Sequence, residues 1–270
     1  MSGSLVVCPT PIGNLEDVTL RVLSALRSAD VVACEDTRRT RVLLDKYGVV
    51  ARTVSYHEHN EAARASELVA RMAAGETVAL VSDAGMPLVN DPGFLLVQAC
   101  VAAGIGVEVL PGPSAALTAL VASGLPATTW RFAGFLPRKR GELESLFRGA
   151  GETLVAFESP RRLAGALEVL AAVDGARAVA VCRELTKLHE EIVRGSAAEL
   201  AARYAAEEPR GEIVVVIGAG AAEAAALGPA LDALARLVEA GARARPAAGV
   251  VAELTGVSAN TLYQALLDQR

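Results

Sequence analysis

The chain has 270 residues, 52% of them hydrophobic but only 4% aromatic, and a formal net charge of −5. That length accommodates one large domain or two of ordinary size around an aliphatic core. The acidic balance argues against wholesale electrostatic binding of nucleic acid, and no apolar run approaches the roughly 20 residues of a membrane span. Met1-Ser2-Gly3-Ser4-Leu5 lacks the basic start and cleavage site of a secretory signal, so no membrane partner is expected and the cytoplasm is the expected location.

In chain order, short β-branched runs predict strands at Leu5–Cys8, Val31–Cys34, Thr53–Tyr56, Thr77–Ser82 and Val107–Leu110. A second series follows at Arg131–Phe135, Thr153–Phe157, Ala178–Cys182 and Ile213–Ile217. Helical periodicity fills the intervals, as from Asn60 to Ala74, where Asn60 is a candidate N-cap and Gly75 follows the end. Strands alternating with helices predict an α/β fold with parallel sheets covered on both faces. The Gly- and Pro-bearing stretch Ser123–Thr129 suggests a boundary. We therefore expect an α/β domain over 1–124, a second over 125–220, and a helical tail over 221–270. In the tail, Gly256 between two apolar periodic runs, with Ser258 as the cap of the second, resembles a helix-turn-helix. Four tail arginines (236, 243, 245, 270) are outweighed by five acids (223, 232, 239, 253, 268), which favours packing over base reading.

Three loops that follow predicted strands are rich in Pro and Gly: "CPTPIGN" (8–14), "SDAGMPLVNDPG" (82–93) and "LPGPSAA" (110–116). Proline stiffens a loop and glycine admits close approach of backbone, so three of them at one sheet edge predict a backbone-lined small-molecule site. No GxxxxGK[ST] loop is present. The glycine-rich stretch Gly218–Glu223 ends in Glu and reads as a strand exit. His57 and His59 lack a third ligand, so no metal is expected. Cys8, Cys34, Cys100 and Cys182 lie apart in apolar runs and are expected as reduced core thiols.

Seven segments occur in order: "PTPIGNLEDVTLR" (9–21), "ACEDTRRT" (33–40), "LVSDAGMPLVNDPG" (80–93), "LPGPSA" (110–115), "GFLPRK" (134–139), "ESPRR" (158–162) and "CRELTK" (182–187). Together they resemble the tetrapyrrole methylase superfamily and, within it, the small-subunit ribosomal RNA methyltransferases. The resemblance implies two α/β domains with S-adenosylmethionine in the cleft between them, working as a homodimer. It implies 2′-O-methylation of a 16S rRNA cytidine, cytidine 1402, at the decoding centre of the small ribosomal subunit. Carried over by motif, cofactor contacts fall on Pro11, Ile12, Asp83, Ala84, Met86, Ser114, Ala115 and Phe157.

A ribose hydroxyl is a poor nucleophile and benefits from a general base. Lys187, Glu184 and Asp36 are the candidate catalytic residues, with Glu35 beside them; a neighbouring arginine gives Glu35 and Glu184 an alternative, orienting role. Arg38, Arg39, Arg138, Lys139, Arg140 and Arg161 are candidate phosphate contacts, forming a positive rim on an otherwise acidic protein. The "SPRR" segment departs from the family form, which has His before the last Arg, at Arg161 itself. Two other readings stay open: a precorrin-type C-methyltransferase of the same fold, and a non-enzymatic nucleic-acid-binding module using the tail.

Overall fold

The computed structural model describes residues 3–268, apart from the side chains of residues 221–226; Arg270 and the Glu223 carboxylate of the tail's charge tally lie outside that set. The chain forms two compact units, one running to Thr118 and including Leu185–Leu188, the other comprising Ala119–Glu184 and the residues from His189 onward.

The first unit alternates β1 (Ser4–Cys8), α1 (Leu20–Ser28), β2 (Val31–Cys34), α2 (Thr37–Lys46), β3 (Thr53–Ser55), α3 (Glu61–Ala73), β4 (Thr77–Val81), α4 (Phe94–Ala102) and β5 (Gly106–Val109). All pairings are parallel, in the order β3-β2-β4-β1-β5. β1, β2 and β4 are almost wholly buried, which is why they read as continuous aliphatic runs rather than alternating ones. Leu26, Leu43 and Leu44 of α1 and α2 cover one face, and Leu68, Met72 and Leu96 of α3 and α4 cover the other. The connections from β1 and from β4 leave in opposite directions across the sheet. This makes the β1–β4 junction the topological switch point, where α/β folds place ligands.

α5 (Ala115–Ser123) leads into β6 (Trp130–Phe135), α6 (Arg140–Arg148), β7 (Thr153–Glu158), α7 (Pro160–Val173), β8 (Ala178–Arg183), β9 (Glu191–Ser196), α8 (Ala197–Ala206) and β10 (Ile213–Ile217). The second sheet, ordered β6-β7-β10-β8-β9, corrects the expectation of a parallel one. Only β6 and β7 run parallel; β10 lies antiparallel to both neighbours, and β8 and β9 form an antiparallel pair. The cause is β9, a strand that hydropathy patterning does not predict, which returns directly beside β8 and so removes a helical crossover. Its segment, "EIVRGS", reads as polar because Glu191 and Arg194 interrupt it. In the fold these charges are matched: Glu191 pairs with Arg183 at 3.2 Å and Arg203 at 2.8 Å, and Arg194 donates to the carbonyls of Ser123 and Ala122.

Three helices close the chain: α9 (Ala221–Glu239), α10 (Ala244–Thr255) and α11 (Ala259–Asp268). Gly256, at φ 75°, turns α10 into α11, and the hydroxyl of Ser258 accepts from the Thr261 amide. Leu234, Val251, Val257 and Leu262 form the tail's own core. No helix among the described residues is long and apolar enough to cross a membrane.

Candidate functional site

The three Pro/Gly loops leave the carboxyl ends of β1, β4 and β5 and converge. Thr10 and Gly85 exchange backbone hydrogen bonds of 2.8 and 2.9 Å, forming a two-residue antiparallel bridge between the first and second loops. The Thr10 hydroxyl donates to the Ser82 carbonyl at 3.0 Å, and the Ser82 hydroxyl donates to the Gly85 carbonyl at 3.0 Å. Gly85 sits at φ +79°, a conformation costly for any other residue. The third loop closes on the first: a Cβ at Gly112 would lie 2.4 Å from Cγ of Pro9.

The long second loop is pinned at its far end as well. One oxygen of Glu61 accepts from the Gly93 amide at 3.0 Å and the Leu95 amide at 3.3 Å, capping α4, while Tyr56 donates to the same oxygen at 2.9 Å. Between these anchors Leu88 and Asn90 adopt φ of 72° and 64°. Non-glycine residues held there cost roughly 1–3 kcal/mol each and persist only where surroundings impose them. The loop is thus a strained, doubly anchored wall.

Ile12, Asp83, Ala84, Met86, Ser114 and Ala115 all lie on these loops or the helix start that follows, and so share one end of the first sheet with Pro11. Asp83 joins that end to α2: its Oδ1 accepts from the Asp36 amide at 3.0 Å, and its Oδ2 lies 3.5 Å from Arg39. Asp36 is the N-cap of α2, accepting from the Arg38 amide at 2.8 Å and pairing with the Arg38 guanidinium at 2.9 Å. Hydrogen bonds from Arg38 lower the Asp36 carboxyl to about 2, making it a poor proton acceptor; the geometry assigns it to capping. Arg38 and Arg39 are correspondingly engaged with acids.

Sequence reasoning missed the acid that stands out here. Burial, then the nearby charges of Glu35 and Asp83, push the Asp91 carboxyl up to about 7. Burial and Asp83 also raise that of Glu35. The motif "NDPG" reads as turn chemistry, and only the fold brings Asp91 toward acids 8 and 56 positions away in sequence. Because its ordinary value is 3.8, the folded protein holds this proton more tightly than the unfolded chain does. The stability it contributes is therefore full below pH 4 and lost as pH rises through 7. Asp91→Asn is expected to flatten the melting temperature between pH 5 and 8 and to raise it at pH 8. Partial exposure screens the gain to about 1 kcal/mol, or roughly 2–4 °C. An unchanged pH profile in thermal melts would show that Asp91 carries no such strain.

Lys187 belongs to the segment Leu185–Leu188 that packs with the first unit. A Cβ at Gly13 would lie 2.5 Å from Cγ of Lys187, and the Asn14 amide donates to the Thr186 hydroxyl at 2.9 Å. Glu184 is placed differently. Its Oε1 accepts from the Glu212 amide at 2.8 Å and its own amide donates to the Glu212 carbonyl at 3.0 Å, so it holds the turn before β10.

The remaining candidates lie in the second unit, at the carboxyl ends of the parallel neighbours β6 and β7. Arg138, Lys139, Arg140 and Arg161 are exposed there. Lys139 pairs with Glu142 at 3.0 Å and Arg140 with Glu144 at 2.9 Å. Phe157 lies on β7 with its ring edge-on to Phe132 and Phe135, at 5.0 and 5.6 Å between centroids. Burial keeps the thiols un-ionised, with Cys8 pushed up to about 12 and Cys182 to about 11. Among the described residues no group of three or more His, Cys, Asp or Glu is arranged to hold a metal.

A profile of the Tetrapyrrole (Corrin/Porphyrin) Methylases matches residues 4–201. "Ribosomal RNA small subunit methyltransferase I" of Mesorhizobium japonicum is 50% identical over 275 aligned residues, covering 99% of this chain and 92% of the relative. The protein of the same name from Micromonospora olivasterospora is 47% identical, covering 97% of this chain and 86% of its own length. Among solved structures, uroporphyrin-III-C-methyltransferase from Thermus thermophilus superposes with a TM-score of 0.56 at 26% identity, covering 79% of this chain and 94% of that one.

Proposed function

The chain belongs to the tetrapyrrole methylase family, and from that premise we propose that it methylates 16S rRNA, using S-adenosylmethionine as donor. The observation that carries the reading is the convergence of three stiff loops at the switch point of the first sheet. Near-full-length identity to relatives named as small-subunit rRNA methyltransferases supports the substrate class. The finer assignment is 2′-O-methylation of cytidine 1402 in the small ribosomal subunit, carried out in the cytoplasm.

The residues present fit the donor. It bears a sulfonium and an ammonium but no phosphate, and this end of the sheet offers backbone amides, aliphatic side chains and the surplus acids Glu35, Asp83 and Asp91. A cation placed among them offsets the burial and, after it, the neighbouring negative charge that raise Glu35 and Asp91. Pro11, Ile12, Ala84, Met86, Ser114 and Ala115 are proposed to hold the rest of the molecule.

When bound, the donor would supply an electrophilic methyl group, with its sulfur as leaving group, to the ribose oxygen, whose proton would have to be taken by an acceptor. Positive charge at sulfur disappears on the way, so water exclusion and alignment serve better than a fixed anion at that atom. Of the three catalytic candidates, Lys187 is retained: its stem lies against Gly13 in the first loop, where its ammonium is placed to bind a phosphate or, if desolvation lowers its pKa, its amine to take the proton. We further propose a homodimer. In support, residues 94–118 carry one charged residue, Glu108, yet expose Phe94, Val101, Val109 and Leu117, and β5 is an edge strand.

Calorimetry with S-adenosylmethionine is expected to show saturable heat. Labelled donor is expected to mark a single cytidine in small-subunit particles, located by mass spectrometry. Methylation of a tetrapyrrole instead would move the chain to the other branch of its family, and no saturable heat would remove the enzyme altogether. Arg138→Ala with Arg140→Ala is expected to raise the KM for particles about tenfold and flatten its salt dependence, with donor affinity unchanged. An unaltered salt slope would remove these arginines from the interface.

A further inference from the structure

We propose that Phe135 is a stacking platform for an unpaired nucleobase of the RNA substrate, with Arg138 taking the adjoining phosphate. The inference rests on the reading of the chain as an RNA methyltransferase and deepens it.

The backbone aims this ring outward. β6 pairs with β7 in register from Trp130 to Phe132, and then three residues on β6 match two on β7, so that Phe135 stands opposite Phe157. The extra residue is accommodated by Gly134 at φ +66°, a conformation that a side chain there would resist. The result is an aromatic side chain left 59% exposed at the carboxyl end of β6, in a sheet whose other large hydrophobic side chains are buried or half-buried. Exposure alone is common and proves little.

The setting distinguishes Phe135. Its ring rests edge-on against Phe157, which in turn rests edge-on against Phe132, so the platform is braced from behind and loses little freedom when a base is laid on it. The chain after it is equally fixed. Arg162 donates to the carbonyls of Leu136 at 2.9 Å and Pro137 at 2.7 Å, and lies 3.2 Å from the carboxylate of Glu158, whose side chain is fully buried. A guanidinium spent on two carbonyls and a carboxylate is a clamp on the two residues joining Phe135 to Arg138. Arg138 itself is exposed and, unlike Lys139 and Arg140, has no carboxylate within pairing distance among the described residues. A rigid exposed ring followed three residues later by an uncommitted cation matches the chemistry of a single-stranded nucleotide: a π face for the base and a charge for its phosphate. A duplex stem offers no free base face and does not fit.

Three variants are assayed for methyl transfer to small-subunit particles, alongside calorimetric donor binding. Phe135→Ala is expected to raise KM roughly 10- to 100-fold, the range of one lost base stack, with donor affinity unchanged. Phe135→Trp is expected to retain wild-type KM, and Phe135→Leu to behave as alanine does. If leucine restores KM, the position needs only apolar cover and the stacking proposal is overturned. If Phe135→Ala weakens donor binding instead, the ring belongs to the donor site and the proposal is likewise overturned. Wild-type protein inactive on particles would refute the underlying function; active wild type with an unaffected alanine variant refutes only the platform.

Discussion

Gly112→Ala is expected to weaken S-adenosylmethionine binding by about 100-fold while lowering the melting temperature by no more than a few degrees. Gly112 is exposed, and its backbone is not in the left-handed region, so alanine meets no conformational penalty there. The obstacle is spatial. The new methyl would lie 2.4 Å from Cγ and 3.1 Å from Cβ of Pro9. A proline ring cannot rotate aside, so the first and third loops must separate by about 1 Å. Misplacement of that size in a preorganised site is worth about two orders of magnitude. The first loop has no slack on its other side, since Thr10 is bonded to Gly85 in both directions. Calorimetry on folded variant protein, with a wild-type circular dichroism spectrum as control, measures the effect. Undiminished affinity would mean that the convergence of these loops has nothing to do with the donor.

Arg177→Met is expected to destabilise the second unit by about 3–5 kcal/mol, the cost of emptying a buried charged site of its donors. Arg177 is 4% exposed and satisfies three carbonyls at once: Nε to Gly218 at 2.6 Å, Nη1 to Phe147 at 2.6 Å and Nη2 to Ala150 at 2.7 Å. Through them one side chain ties the end of β10 to the end of α6 and the turn before β7. Burial pulls the guanidinium below its ordinary pKa, with Asp174 opposing, but desolvation does not outweigh five donors placed in a fixed fork. Methionine fills similar volume and leaves the buried Gly218 and Phe147 oxygens without the Arg177 donor, while Ala150 keeps only its bond from the Gly220 amide at 3.0 Å. Lysine is expected to rescue little, because one ammonium cannot reach three carbonyls spread over separate segments. Thermal or urea unfolding followed by a second-unit probe such as Trp130 reads the loss. A methionine variant within 1 kcal/mol of wild type would show that water takes over the acceptors.

Legibility differed between the two units for a physical reason. The three inner strands of the first unit were readable because parallel strands buried on both faces must be continuous aliphatic runs, as Val31–Cys34 and Thr77–Val81 are. The more exposed edge strands β3 and β5 were read from their β-branched residues. β9 escaped because its charges are neutralised by Arg183, Arg203 and two carbonyls that sequence cannot bring near. The same distinction runs through the site residues. The loops could be found from Pro and Gly, whose effects on backbone are local. The roles of Asp36 as a cap, Glu184 as a turn brace and Glu61 as the anchor of α4 depend on partners supplied by the fold.

The order of Pro/Gly loops after aliphatic runs was enough to determine an α/β protein with stiff loops gathered at one sheet edge, and the seven ordered segments were enough to determine its family. Both are local or cumulative properties of a linear string. Only tertiary structure decided that the second sheet is mixed, that Asp91 carries a carboxyl near neutrality, that Arg177 knits three segments and that Phe135 faces outward on a braced bulge. Each of these is set by distances between residues far apart in the chain. Burial, charge repulsion and hydrogen bonding act through space, and composition records none of those separations.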